Sequence, residues 1–254
     1  MTLTYRFISL IGGSSLLFKE TVRQIFRGKY EWNATFYQIY AVGVASFPVV
    51  MVTTMSIGMV MALQFGIGLA KFGGSLYIPK IVSLSVIKEF GPVFASIMVA
   101  ARVGSGMTSE IGSMVVTEQV NAIQALGTSP IKKIVVPRVV GLFIALPVLC
   151  VAANILGVLG GFIVGVHDLG LDPMFYYQKI FETLKVSDYL SGFGKTFFFA
   201  LMISVFACYY GLNVKVGTKE VGYATTKSVV TSCIAIMIGD YFLTKLFWLF
   251  EVWI

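Results

Sequence analysis

Long apolar runs, interrupted by isolated charges, set the pattern of this chain. Trp32 to Ala70, Val139 to Val166 and Thr196 to Val214 contain no Asp, Glu, Lys or Arg. A helix needs about 20 apolar residues, rising about 1.5 Å each, to cross roughly 30 Å of hydrocarbon. Each of the three runs therefore predicts a membrane span. Two more runs are apolar but broken by charge: Glu89 to Ser109 holds Arg102, and Ser228 to Phe250 holds Asp240 and Lys245. The reading is an all-α integral membrane protein with five transmembrane helices, near 39–66, 87–109, 139–166, 195–214 and 227–250, forming one domain over 1–254.

Shorter segments carry a different periodicity. Arg6 followed by the apolar run Phe7 to Phe18 resembles a signal peptide, but Gly12, Gly13, Ser14 and Ser15 interrupt the run. Beyond it Val22, Ile25 and Phe26 share a helical face opposite Arg23 and Arg27. Residues 1–31 are expected to form an interfacial amphipathic helix. Leu171 to Tyr189 predicts a second interfacial helix, started by Asp172-Pro173 and bearing Phe175, Tyr176, Ile180 and Leu184. Between the second and third spans, residues 117–127 have a polar start, a short amphipathic run and a Gly127 stop, which predicts a helix of two or three turns.

Composition narrows the class. With 57% hydrophobic and 12% charged residues and a mean hydropathy of +0.87, the chain has no soluble surface to offer. The 21 Phe and 12 Tyr beside 3 Cys exclude a disordered chain and a disulfide-stapled module. Cys150, Cys208 and Cys233 lie in apolar runs without metal-ligand spacing, so neither metal nor disulfide is expected. The formal charge of +7 fits basic flanks of membrane spans better than nucleic-acid binding. Arg6, Lys19, Arg23, Arg27 and Lys29, then Lys132, Lys133 and Arg138, then Lys215, Lys219 and Lys227 fall on one side of a five-span topology. The opposite side holds fewer basic residues, so the N-terminus is expected in the cytosol.

Charges inside the spans are the candidate chemistry, since each costs about 2.5–3.5 kcal/mol at a helix centre unless paired or wet. Glu89, Lys195 and Asp240 are expected at similar depth in the outer half of the membrane. A Lys195 pair with Asp240 or Glu89 would lower the burial cost and line a polar pocket, or be a purely structural ion pair. Arg102 would snorkel or meet Glu110, and His167 with Asp168 forms a solvated turn. Gly157, Gly161 and Gly165 recur at every fourth position, a helix-packing signal that leaves open whether the neighbour lies in this chain or in a second copy. Gly192-Phe193-Gly194-Lys195-Thr196 imitates the end of a phosphate-binding loop, but its first glycine position is Tyr189 and no strand precedes it. Nucleotide would have to be bound by a partner.

Three stretches resemble the MlaE family of ABC transporter permeases. They are Lys88-Glu89-Phe90-Gly91-Pro92, Ala101-Arg102-Val103-Gly104 through Ser113-Met114, and Thr117-Glu118-Gln119 through Ser129-Pro130. Pro137-Arg138, Ala224 to Lys227 and Gly239-Asp240 extend the likeness along nearly the whole chain. The family's Arg-Glu-Leu-Gly-Pro is Lys-Glu-Phe-Gly-Pro here, so a point charge replaces a bidentate fork. The resemblance implies a multi-pass permease of a bacterial inner membrane, with no catalytic residue and no cofactor of its own. It implies a homodimer, cytosolic ATPase subunits that hold ATP and Mg, a periplasmic ring of MCE-domain proteins and a phospholipid substrate. Glu89, Lys195 and Asp240, with Lys88 and Arg102 in the same motifs, would then belong to the lipid cavity. Thr117, Glu118, Gln119, Asn121 and Leu126 would belong to the helix coupling the permease to the ATPase. A secondary transporter would carry similar charges but should show an inverted repeat, which five spans do not display. A structural membrane scaffold would not need charges at matched depth.

Overall fold

Eight helices follow one another in the computed structural model, which describes residues 3–27, 32–215 and 217–253. They are α1 (Leu3–Arg27), α2 (Trp32–Ala70), α3 (Ser75–Val116), α4 (Gln119–Ala125), α5 (Ile131–His167), α6 (Pro173–Thr183), α7 (Val186–Leu212) and α8 (Thr218–Trp253). Five of them, α2, α3, α5, α7 and α8, are long and apolar enough to cross a membrane. Among the described residues every regular element is helical. Lys29, on the basic N-terminal arm, lies outside the described residues, as do the side chains of Arg6 and Arg27.

Four long helices exceed the apolar windows that announce them. α3 starts at Ser75, α5 at Ile131, α7 at Val186 and α8 at Thr218, ahead of Lys88, Lys132, Lys195 and Lys219. Charge limits what sits comfortably in hydrocarbon, but Lys and Glu are good helix formers and do not stop the backbone. Three turns in these helices are widened. The amide of Gly91 donates to Val86 O and that of Val136 to Ile131 O, five residues back, and a third wide turn covers Ala100–Gly104. These turns carry Lys88 and Glu89, Lys132 and Lys133, and Arg102.

Each long helix contributes to two compact units. The first takes the stretches up to Val42, Val99–Ala145 and Ala200–Ala235. Its core joins Ile111, Val120, Ile134, Val135, Val139 and Cys208, with Leu17 of α1 packed against it. α1 lies close there because Gly13 leaves room for the ring of Tyr209, whose hydroxyl donates to Ser9 O at 3.2 Å. Phe26, expected on the apolar face of α1, is exposed.

The second unit takes Gly43–Met98, Leu146–Phe199 and the chain from Ile236. Ala62, Ile78, Val82, Val86 and Val164 form its core. The glycines of α5 meet neighbours in the same chain, which settles what their spacing left open. A Cβ on Gly157 would strike Val86, one on Gly161 would strike Val82, and one on Gly165 would enter the ring of Tyr176. Gly58 of α2 faces the backbone carbonyl of Gly157 just as closely. The Tyr176 ring also stands edge-on to Phe162 at 5.4 Å, so α6 is pinned to α5. Burial pushes the Tyr176 phenol well above its ordinary range. The start of α6 is as expected: the Asp172 carboxylate accepts from the Phe175 amide at 2.7 Å, and Pro173 takes the first turn.

Candidate functional site

The motif Lys88-Glu89-Phe90-Gly91-Pro92 explains its own local geometry. Pro92 has no amide proton to offer the carbonyl four residues back, Lys88 O. The Lys195 ammonium supplies one instead, at 3.2 Å. Gly91 is required on the opposite side, where a Cβ would collide with the Asn154 side chain and Val86 O.

Lys195 stands at the centre of the site with no exposed surface. Its Nζ donates to Glu89 Oε2 at 2.5 Å, Asp240 Oδ1 at 2.9 Å and Thr244 Oγ1 at 2.7 Å. Together with Lys88 O, that is four acceptors around an ammonium with three protons, so no donor is wasted. Thr244 accepts from Lys195 and has one proton to give. Its partners are Asp240 O at 2.8 Å and the Glu89 carboxylate at 3.2 Å. Both ion pairs foreseen for Lys195 therefore form at once.

Two carboxyl groups share the one lysine, and the side chains of Glu89 and Asp240 keep 33% and 21% of their surface exposed. The lysine lies behind them. Anything approaching this cluster from the open side meets carboxylate oxygens, and the ammonium acts on it only through them. The Gly192 to Thr196 stretch that imitated a phosphate-binding loop is helical, inside α7.

The other candidate charges lie elsewhere. Lys88 pairs with Asp188 at 2.6 Å, on the segment that opens α7. Arg102 belongs to the first unit and is exposed. Glu110, the partner offered for it, accepts from Arg138 at 2.9 Å. Arg138 also donates to Ile134 O at 2.9 Å. Helical reach is the reason: Arg102 and Glu110 are two turns apart on one helix, whereas Arg138 comes across from α5 with its guanidinium already oriented.

The connector after α3 makes a sharp turn. Thr117 donates from its hydroxyl to Ser113 O at 2.9 Å, and Glu118 then adopts φ 61°, in the left-handed region. Asn121 donates to the Glu118 carboxylate. α4 starts at Gln119 and buries Val120, while Leu126 stays 82% exposed past its end. Gly127, at φ 73°, closes the turn.

Sequence reading did not single out Thr244 or Asp188. Thr244 was within reach, because it lies one helical turn after Asp240 and shares its face. Asp188 gave no such signal, being distant in sequence from Lys88.

Comparison with known proteins places this architecture. The family model for permease MlaE matches residues 35–246. A probable ABC transporter permease of Rickettsia conorii is 40% identical over 244 residues, 96% of this chain and 94% of the relative. The intermembrane phospholipid transport system permease protein MlaE of Haemophilus influenzae is 31% identical over 210 residues, 82% of this chain and 80% of that one. The chloroplastic protein trigalactosyldiacylglycerol 1 of Arabidopsis thaliana is 31% identical over 228 residues, 90% of this chain and 65% of that protein. The chain belongs to the MlaE permease family.

Proposed function

We propose that this protein is the permease subunit of an ABC transporter that moves phospholipids between the bacterial inner membrane and a periplasmic pathway of MCE-domain proteins, maintaining outer-membrane lipid asymmetry. The match to the permease family over residues 35–246 carries this reading, and the Haemophilus relative named for intermembrane phospholipid transport supplies the substrate class. The whole chain acts as one permease domain with its N-terminus in the cytosol, and two copies pair with two ATPase subunits that hold ATP and Mg.

In this reading the Lys195 cluster is the polar element of the lipid path. The buried lysine holds Glu89 and Asp240 in place, and their exposed oxygens face the headgroup. α4, preceded by the rigid turn at Glu118 and followed by exposed Leu126, is the element that docks on the ATPase and transmits its closure. Reconstitution in liposomes with the ATPase and an MCE-domain partner tests the proposal. ATP-dependent transfer of labelled phospholipid to the MCE protein is expected. A chain that purifies and stays stable with no ATPase, and moves no lipid, would overturn it.

A further inference from the structure

Apart from the Lys195 cluster, the second unit contains a cavity of about 980 Å³ beside α6 and the start of α3. Lys80, Lys88, Lys179 and Lys185 line it, against Glu182 and Asp188. Both acids are already engaged, Asp188 with Lys88 and Glu182 with Lys179, each at 2.6 Å. Four cations against two anions leave the cavity with two excess positive charges, contributed by Lys80 and Lys185. Both are exposed at its edge.

Beside these charges, Thr183 and Ser187, the lining has an apolar part: Leu76, Leu84 and the Phe175 ring form a surface for hydrocarbon. Exposed Tyr77 belongs to this lining, and exposed Tyr177 and Phe181 lie on α6, the helix that contributes Phe175, Lys179 and Glu182 to it. Aromatic residues of this kind mark the depth at which headgroups meet hydrocarbon, and a basic pocket at that depth selects phosphate. An acidic protein segment would satisfy the lysines but leave the apolar wall without a partner.

We propose that this cavity binds the phosphate-bearing headgroup of an anionic phospholipid, with an acyl chain against Leu84 and Phe175, at a site separate from the Lys195 cluster. Lys80 and Lys185 supply the unbalanced charge, and Lys88 can turn from Asp188 to the incoming phosphate. The two sites therefore have opposite electrostatic character: carboxylates are presented at one and ammonium groups at the other.

The test uses the full chain in phosphatidylcholine nanodiscs carrying a trace of fluorescent phosphatidylglycerol. Saturable binding is expected, weakening as salt rises. Each neutralised lysine should cost about fivefold in affinity, so the Lys80→Gln/Lys185→Gln double variant should bind about 25-fold more weakly. Lys80 and Lys185 make no contact with the Lys195 ammonium, so weaker binding in the double variant reports this site and not that cluster. Binding unchanged by salt and by the double variant would overturn the proposal. Displacement by millimolar inorganic phosphate alone would overturn the lipid assignment in favour of a free phosphate. Displacement by an acidic peptide and not by unlabelled phosphatidylglycerol would overturn it in favour of a protein partner.

Discussion

Lys88 and Glu89 are neighbours in the chain, yet the structure sends them to different partners: Lys88 to Asp188 at 2.6 Å and Glu89 to Lys195 at 2.5 Å. Successive side chains on a helix point about 100° apart, so one turn of α3 serves both an outer cavity and a buried cluster. The widened turn that carries them, and the amide missing at Pro92, open the Lys88 carbonyl to the same ammonium that holds Glu89. Charge, backbone and imino acid are parts of one arrangement.

Removing the cation should be worse than removing one anion. Lys195→Met leaves Glu89 and Asp240 facing each other without a countercharge, and breaking a buried pair in this way costs about 3–5 kcal/mol. Asp240→Asn keeps a hydrogen-bond acceptor and balances the remaining charge. Both should abolish lipid transport, but only Lys195→Met should lower the melting temperature markedly in detergent. Normal transport by Asp240→Asn would remove the functional role of the cluster and leave it a structural ion pair.

Pro92→Ala restores the amide proton that Lys88 O lacks. A proline inside a helix costs about 3 kcal/mol, so the variant is expected to melt higher than the parent. Its helix would then compete with Lys195 for the carbonyl, and transport should fall while stability rises. A lower melting point would show that the distortion serves packing and not the cluster.

Glu118 sits at φ 61° and accepts from Asn121. Glu118→Gly suits the left-handed backbone and should preserve the fold, whereas Glu118→Lys keeps the backbone as it is, removes the acceptor for Asn121 and reverses the charge. In pull-downs of the assembled complex, Glu118→Lys should release the ATPase, with Glu118→Gly retaining it in reduced amount. Full ATPase recovery with the lysine variant would exclude this turn from the docking surface.

The glycines of the second unit are not equivalent to those around Arg102. Gly157→Val places a side chain into Val86, and overpacking of that kind destabilises by about 1–3 kcal/mol. Gly106 lies inside α3 with open space where a Cβ would go, so Gly106→Ala should raise stability by about 0.5–1 kcal/mol. Thermal unfolding of the two variants side by side measures the contrast. Equal melting points would contradict the packing assigned to α5.

Hydrophobic run length and local capping chemistry are properties of neighbouring residues, and both could be read without a structure. Trp32 to Ala70 announced α2, Asp172-Pro173 announced α6, and the charges at Glu89, Lys195 and Asp240 were visible as costs that had to be met. Which charge meets which was another matter. Arg102 and Glu110 looked like partners because they are close in sequence, but Arg138 arrives from another helix and takes the carboxylate. Lys88 looked like a member of the Glu89 cluster for the same reason. The glycine spacing in α5 showed that something packs closely, and only the fold showed that it is α2, α3 and α6 of the same chain. By itself the sequence determined the membrane class, the helix count and the residues that could not stay unpaired. The tertiary structure decided the pairing, because an ion pair between distant helices depends on their crossing and rotation, which no local pattern encodes.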